Sequence, residues 1–336
     1  MLFHYKKLES IFFEKILHKE KTQSVGLRVA DYDETVKHCD PAPGLWINKE
    51  TLFTMDIKLI FLDLDGTLLD SNKNLPETNR RALEQAAGLG VHIVPSTGRF
   101  YSGMPQVVRD LPFVRYVVAV NGAKVHDVKE DKVLYREEIP LETAFRVFDA
   151  LDALPVIYDC YMGDFGYDYV AMYERVDEFI SDPRVNAMVK GTRQPVPDLR
   201  TFLREQGAPL QKIQMFFKDM DRRAAELERM PRLFPELAVT SSIYNNIEMN
   251  AKTATKGEAL RFLCRHLGID IRDTMAFGDS SNDLSMIQAA GLGVAMGNAA
   301  SELLAAADYI TDTNDQNGVA TALERFVLRF TDAKAP

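Results

Sequence analysis

Asp63 and Asp65 stand one residue apart at the end of an apolar run, in IFLDLDGTLLDS at residues 60–71. Aspartate is disfavoured in strands, and two carboxylates at one strand end repel each other unless a cation lies between them. Other polar clusters also follow apolar runs. Thr97, Gly98 and Arg99 end VHIVPSTGR, Asn121 and Gly122 end FVRYVVAVNGA, and Asp279, Ser280, Asn282 and Asp283 follow TMAFG, while Lys256 opens a helical pattern. Asp63, Asp65 and Asp279 are the hard oxygen donors that Mg2+ takes, with water and phosphate completing its octahedron. His92, His126 and His266 have no ligand spacing and read as structural or surface residues.

For these residues to meet, the runs before them must be neighbouring strands. KLIFLDL is nearly all apolar, as in a parallel strand buried on both faces. PETNRRALEQAAGLG reads as a helix, with Pro76 near its start and Gly88 and Gly90 near its end. Beyond residue 245 the alternation resumes. TKGEALRFLCRHLG is a helix capped by Gly268, and strands and helices then follow in turn to a helix over 318–330. The pattern predicts an α/β fold with a doubly wound, mostly parallel, Rossmann-like sheet, whose chemistry gathers at the carboxyl ends of the strands. Residues 139–245 break the rhythm and read as an inserted α+β domain. The core unit is then 55–138 plus 246–336. Residues 1–54, a short amphipathic helix and a Pro-Ala-Pro-Gly loop, read as an extension. A chain beginning at Met55 should therefore fold and stay active, and insolubility or inactivity of that chain would refute this.

Composition narrows the function classes. The chain has 336 residues and a net charge of −9, which argues against nucleic acid or an anionic membrane as the main partner. A small anionic substrate is still allowed, because one local cationic or metal site overrides the global field. Cys39, Cys160 and Cys264 form no CxxC pair, which suits a reducing compartment. No apolar run approaches the roughly 18 residues that would cross a bilayer, and no signal-peptide core opens the chain. A cytoplasmic protein is expected.

DLDGT at 63–67, STGR at 96–99, KGEAL at 256–260 and GDSSND at 278–283 resemble, in this order, the motifs of the haloacid dehalogenase-like (HAD) hydrolase superfamily. NGA at 121–123 and the large insertion between the second and third motifs resemble its class IIB, Cof-type phosphatases. The resemblance spans about residues 56–330. It implies a Mg2+-dependent phosphatase of small phosphorylated metabolites, with the insertion as a cap domain. Asp63 would be the nucleophile and Asp65 the general acid and base. The Leu64 and Gly98 backbones, Thr97, Lys256 and Asn282 would bind phosphate. Asp63, the Asp65 carbonyl, Asp279 and Ser280 would hold the metal, with Asp283 supporting them from behind. Arg99, Asn121 and Gly122 are candidates for substrate contact.

Other readings of the residues stay open. Asn121-Gly122 is equally a hairpin turn. The same motifs serve a phosphomutase, a phospho-aspartate switch or a non-catalytic binding module. Sugar phosphates, flavin mononucleotide and pyridoxal phosphate are the substrates the resemblance implies. YDCYMGDFGYDYVAMY reads as core or inter-domain packing.

Overall fold

Alternate residues of a buried strand feed opposite layers, and LIFL at residues 59–62 does so. Ile60 and Leu62 pack with the helices Glu77–Gly88 and Gly318–Leu323, whereas Leu59 and Phe61 pack with Lys256–Leu267 and Leu284–Ala289. Helices therefore cover both faces, and each fully buried side chain of this size contributes about 1.5–3 kcal/mol. The computed structural model describes residues 56–328. The extension read over 1–54 and the end of the helix read over 318–330 lie outside the described residues.

In chain order the strands are β1 (Leu59–Leu62), β2 (His92–Pro95), β3 (Tyr116–Ala119), β4 (Lys124–Asp127) and β5 (Lys132–Arg136). Then come β6 (Ile157–Met162), β7 (Phe165–Tyr169), β8 (Arg193–Val196), β9 (Lys212–Phe216), β10 (Leu237–Thr240) and β11 (Asn246–Ala251). The last are β12 (Thr274–Gly278), β13 (Leu292–Ala295) and β14 (Tyr309–Ile310). The central sheet has the order β14-β13-β12-β1-β2, all parallel. Strand β3 joins its edge through isolated bridges at Ile93–Val114 and Ser96–Val118, and continues into an antiparallel β3-β4-β5 sheet. Strand order reverses between β1 and β12, and a crevice opens outside the carboxyl ends at such a point. Leu62 is level with Pro95 on β2 and with Phe277 on β12. That register places Asp63, Thr97 and Asp279 just past three adjacent strands.

Residues 120–122 are the tight turn between β3 and antiparallel β4, with Asn121 at φ 59° and Gly122 at φ 104°. Asparagine and glycine tolerate this left-handed region best. The hairpin reading of Asn121-Gly122 is therefore correct.

The inserted unit is a six-stranded sheet, β10-β11-β9-β6-β7-β8, antiparallel except for the β7–β8 pair. Tyr158 and Cys160 on β6, Ile213 and Met215 on β9, and Ile247 and Met249 on β11 pack under helices Leu141–Asp152, Leu199–Gln206 and Met220–Leu233. The alternate residues are polar: Asp159 and Tyr161, Lys212 and Gln214, Asn246, Glu248 and Asn250. One division of the sequence needs correcting. Residues 246–251, read as the return to the core unit, are strand β11 of this second sheet. NIEMNA alternates polar and apolar in step with β9, to which it is hydrogen-bonded. Among the described residues no helix is long and apolar enough to cross a membrane.

Candidate active site

Asp63 follows β1 and is buried. Its Oδ1 accepts from Lys256 Nζ at 2.5 Å, and the same ammonium donates to Asp283 Oδ1 at 2.6 Å. Lys256 is 0% exposed and opens its helix, whose preceding Thr255 hydroxyl accepts from Glu258 N at 3.2 Å. Asp283 Oδ2 accepts from the backbone N–H groups of Asp279 and Ser280 at 2.9 and 3.0 Å, so both its oxygens are engaged. Asp279 accepts from Thr67 Oγ1 at 2.8 Å and from Ser280 Oγ at 2.9 Å. Gly66, at φ 91°, leaves room for that carboxylate: a Cβ there would stand 2.6 Å from Asp279 Oδ2.

Carboxylate oxygens of Asp63, Asp279 and Asp283 lie within 4.8 Å of one another. One buried ammonium does not balance them. Burial and then the Asp283 carboxylate push Asp279 up to about 7, and burial pushes Asp63 well above the carboxylate range despite Lys256. A hard dication fits this excess of oxygen donors, and no thiolate or imidazole belongs to the cluster.

Asp65 has a different environment. Its oxygens accept from Arg99 Nε and Nη2, both at 2.7 Å, and Lys73 Nζ is 2.8 Å from Oδ1. Burial pushes this carboxyl up, but the two cations outweigh it and hold it at about 2. Arg99, read as a candidate substrate contact, uses three of its five N–H groups on Asp65 and on the Gly103 carbonyl and keeps its place in the cavity wall.

Asp63, Asp65, Lys73, Thr97, Gly98, Arg99, Ser280 and Asn282 line a cavity of about 220 Å³. Leu64, Lys256, Asp279 and Asp283 are not part of this lining. Asn121 and Gly122, also read as substrate contacts, do not reach it. Asn121 Nδ2 donates to Glu248 Oε2 at 2.6 Å and its Oδ1 accepts from Asn282 Nδ2 at 3.1 Å. Gly122 packs on the Thr255 backbone, whose carbonyl oxygen a Cβ would approach to 2.2 Å. Asn121 thus ties the core unit to the second sheet, and Gly122 packs within the core unit.

The second sheet supplies lining that the sequence reading missed: Tyr161, Arg193, Lys212, Gln214, Phe216, Asn246 and Glu248. Lys212 Nζ donates to Glu248 Oε1 at 2.8 Å and to the Gly98 carbonyl at 2.9 Å, tying this sheet to the Thr97-Gly98 loop. Polar residues at every second position of a buried strand, as in KIQMF, were the available signal.

The profile of the haloacid dehalogenase-like hydrolase family matches residues 60–323. Phosphatase YwpJ of Bacillus subtilis (strain 168) is 32% identical over 289 residues, covering 81% of this chain and 100% of that protein. The 5-amino-6-(5-phospho-D-ribitylamino)uracil phosphatase YcsE of the same organism is 32% identical over 278 residues, covering 82% and 97%. A haloacid dehalogenase-like hydrolase structure from B. subtilis superposes with a TM-score of 0.72 at 30% identity, covering 81% of this chain and 100% of that one. The HAD subclass IIB sugar phosphatase BT4131 shares the fold, with a TM-score of 0.66 at 23% identity, covering 80% and 98%. The motifs past β1, β2 and β12, the inserted sheet above them and these likenesses agree: the chain belongs to the haloacid dehalogenase-like hydrolases and is a phosphatase.

Proposed function

We propose that this phosphatase hydrolyses small phosphomonoesters with Mg2+, through a phosphorylated Asp63. The observation that carries the reading is the Asp63 carboxylate in the cavity wall, held at one oxygen by Lys256 with Asp65 two residues on. Lys256 fixes Oδ1 and leaves Oδ2 for in-line attack on phosphorus. The Asp63 O–P bond forms as the bond from phosphorus to the leaving oxygen breaks, and Asp65 protonates that oxygen. Water then attacks phosphorus, Asp65 takes its proton, and phosphate leaves with Asp63 restored. Thr97, Asn282 and the Leu64 and Gly98 backbones would hold the phosphoryl oxygens. Asp63, Asp279 and the Asp65 carbonyl would hold Mg2+, with Ser280 beside Asp279 and Asp283 bracing from behind, and the bound ion would offset charge building on the phosphoryl group. The Arg99 pair suits Asp65 to the second step, as a base. For the first step Asp65 must loosen from Arg99 and carry a proton.

The substrate class follows from relatives. Both YcsE and YwtE of Bacillus subtilis are named as phosphatases of a ribitylaminouracil phosphate. A phosphorylated sugar or polyol, with or without an attached ring, is the class proposed here, and the inserted sheet is the cap that closes on it.

EDTA should abolish turnover of p-nitrophenyl phosphate, and Mg2+ should restore it; full activity in chelator sinks the metal reading. Stability gives a second readout. Asp279, at about 7 against an ordinary 3.8, binds more protons folded than unfolded between those values. Its contribution in chelated protein is therefore lost as pH rises toward 7. Mg2+ competes with those protons, so it should raise the melting temperature more at pH 8 than at pH 5. Equal shifts at both pH values would place the metal elsewhere.

A further inference from the structure

Asp159 lies on the polar face of the second sheet. One oxygen, Oδ2, accepts both from Arg193 Nε at 2.8 Å and from Gln214 Nε2 at 2.9 Å. Side chains from β8 and β9 are thus drawn side by side onto a single atom. Arg193 donates further to Thr192 Oγ1 at 2.6 Å and Tyr161 Oη at 3.0 Å. A guanidinium carries five N–H groups, so two remain. Gln214 spends its nitrogen on Asp159, and among the described residues no donor meets its carbonyl oxygen. Both side chains line the cavity, which therefore has hydrogen-bond donors next to an acceptor.

Gly166 on β7 makes this arrangement possible. A Cβ there would stand 2.3 Å from Arg193 Cδ and 2.8 Å from Nε. The missing side chain lets Arg193 cross β7, and its guanidinium then lies over the Tyr161 ring, 4.8 Å from the centroid.

Charge and shape narrow the ligand. Arg193 and Asp159 cancel, as do Lys212 and Glu248 at 2.8 Å. Asp168, opposite Asp159 in register, is pushed up to about 7 by burial and by Asp159, toward its neutral form. Arg184, which also lines the cavity, is paired with Asp182 at 3.2 Å, so the charges of this wall are matched and none is left over for a second phosphate or a carboxylate. The cavity is also lined by Val185, Met188, Val189, Phe216 and Ile243. The first three share one face of helix Pro183–Thr192, at i, i+3 and i+4 spacing. Ser242 and Asn246 could meet some hydroxyls of a sugar in this space, but those turned to the five apolar side chains would find no partner.

We infer that Arg193 and Gln214 are specificity-determining residues that read the carbonyl and neighbouring N–H edge of a flat, uncharged ring on the leaving group. Such an edge belongs to lactams and pyrimidines. Its C=O accepts from Arg193, its N–H donates to Gln214, and the apolar side chains cover the ring face. The inference rests on the phosphatase reading.

The test compares kcat/KM for uridine 5′-monophosphate, 3-methyluridine 5′-monophosphate, glucose 6-phosphate and p-nitrophenyl phosphate. The natural enzyme should favour uridine 5′-monophosphate about tenfold or more over the N-methylated ring and over the sugar phosphate, because a site built for an N–H rejects its methylated analogue. Gln214→Met should erase the discrimination against the methyl group. Gly166→Ala, which keeps Arg193 but displaces it, should lower the ratio of uridine 5′-monophosphate to p-nitrophenyl phosphate about tenfold, mainly through KM, and Arg193→Lys should do the same. General destabilisation would not move these ratios. Preference for glucose 6-phosphate, tolerance of the N-methyl group, or unchanged ratios in the variants would overturn the inference while turnover of p-nitrophenyl phosphate left the phosphatase reading standing. Turnover of none of the four with Mg2+ would overturn both.

Discussion

Asp63→Asn should lower kcat by at least about a thousandfold and leave no phosphorylated protein, because the amide keeps the shape but lacks the nucleophilic charge. Asp65→Asn should fail differently. It leaves Asp63 on Lys256 and keeps the backbone carbonyl of residue 65, but it removes the proton donor and the base. It also breaks the bidentate pair with Arg99, so that guanidinium becomes free to turn into the cavity. An activated ester such as p-nitrophenyl phosphate needs little protonation of its leaving group, so the first half-reaction should partly survive. The acyl phosphate should then accumulate, because its hydrolysis has lost the base. Trapping with labelled substrate separates the two variants. Label on Asp65→Asn but not on Asp63→Asn supports the assignment. Label on Asp63→Asn, or equal turnover by both variants, would reverse or remove these roles.

Lys256→Met should cost both stability and activity. The ammonium is fully buried between Asp63 and Asp283, and burial alone would lower its pKa; the two carboxylates outweigh burial and raise it. Removing one partner of such a cluster costs about 3–5 kcal/mol, because buried charge is left uncompensated. For a chain of this size that corresponds to a fall in melting temperature of about 4–7 °C. Turnover should drop about a hundredfold or more, since Asp63 loses its orienting donor and takes up a proton. Adding Asp283→Asn to Lys256→Met should recover part of the stability, because it removes one stranded carboxylate, and should recover none of the activity. Thermal melts and kinetics of the two single variants and the double variant form a cycle that isolates the coupling. Additive stability losses, or turnover within threefold of the natural enzyme in Lys256→Met, would refute this placement of Lys256.

Much of the catalytic end was legible from local pattern alone. A strand buried on both faces must be apolar throughout, so KLIFLDL and TMAFGD announce their own ends by where charge begins. Strand ends in a doubly wound sheet converge, so Asp63, Thr97 and Asp279 were expected together before any distance was known. The pairing of Asp65 with Arg99 and Lys73 was not legible, because it depends on how loops 34 and 8 residues apart in sequence fold back on each other. Asn121 and Gly122 carried the signature of a turn and of a site equally. Tertiary structure decided for the turn, since Gly122 must meet the Thr255 backbone and Asn121 must reach Glu248 and Asn282. The boundary at residue 246 failed because a strand's sheet is set by its partner, and NIEMNA pairs with KIQMF 30 or more residues away. The distal wall was the least legible part. Asp159, Arg193 and Gln214 lie on three strands with no shared motif, and only the cross-strand register of the inserted sheet, with the gap left by Gly166, brings them onto one oxygen. The sheet and its polar strand ends follow from short-range periodicity and residue type in the sequence alone, while the phosphoryl chemistry came from the resemblance of the four ordered motifs to the haloacid dehalogenase-like family. What lines the distal wall of the cavity was decided by long-range pairing alone, because period-2 alternation marks which residues share a face but not which faces meet.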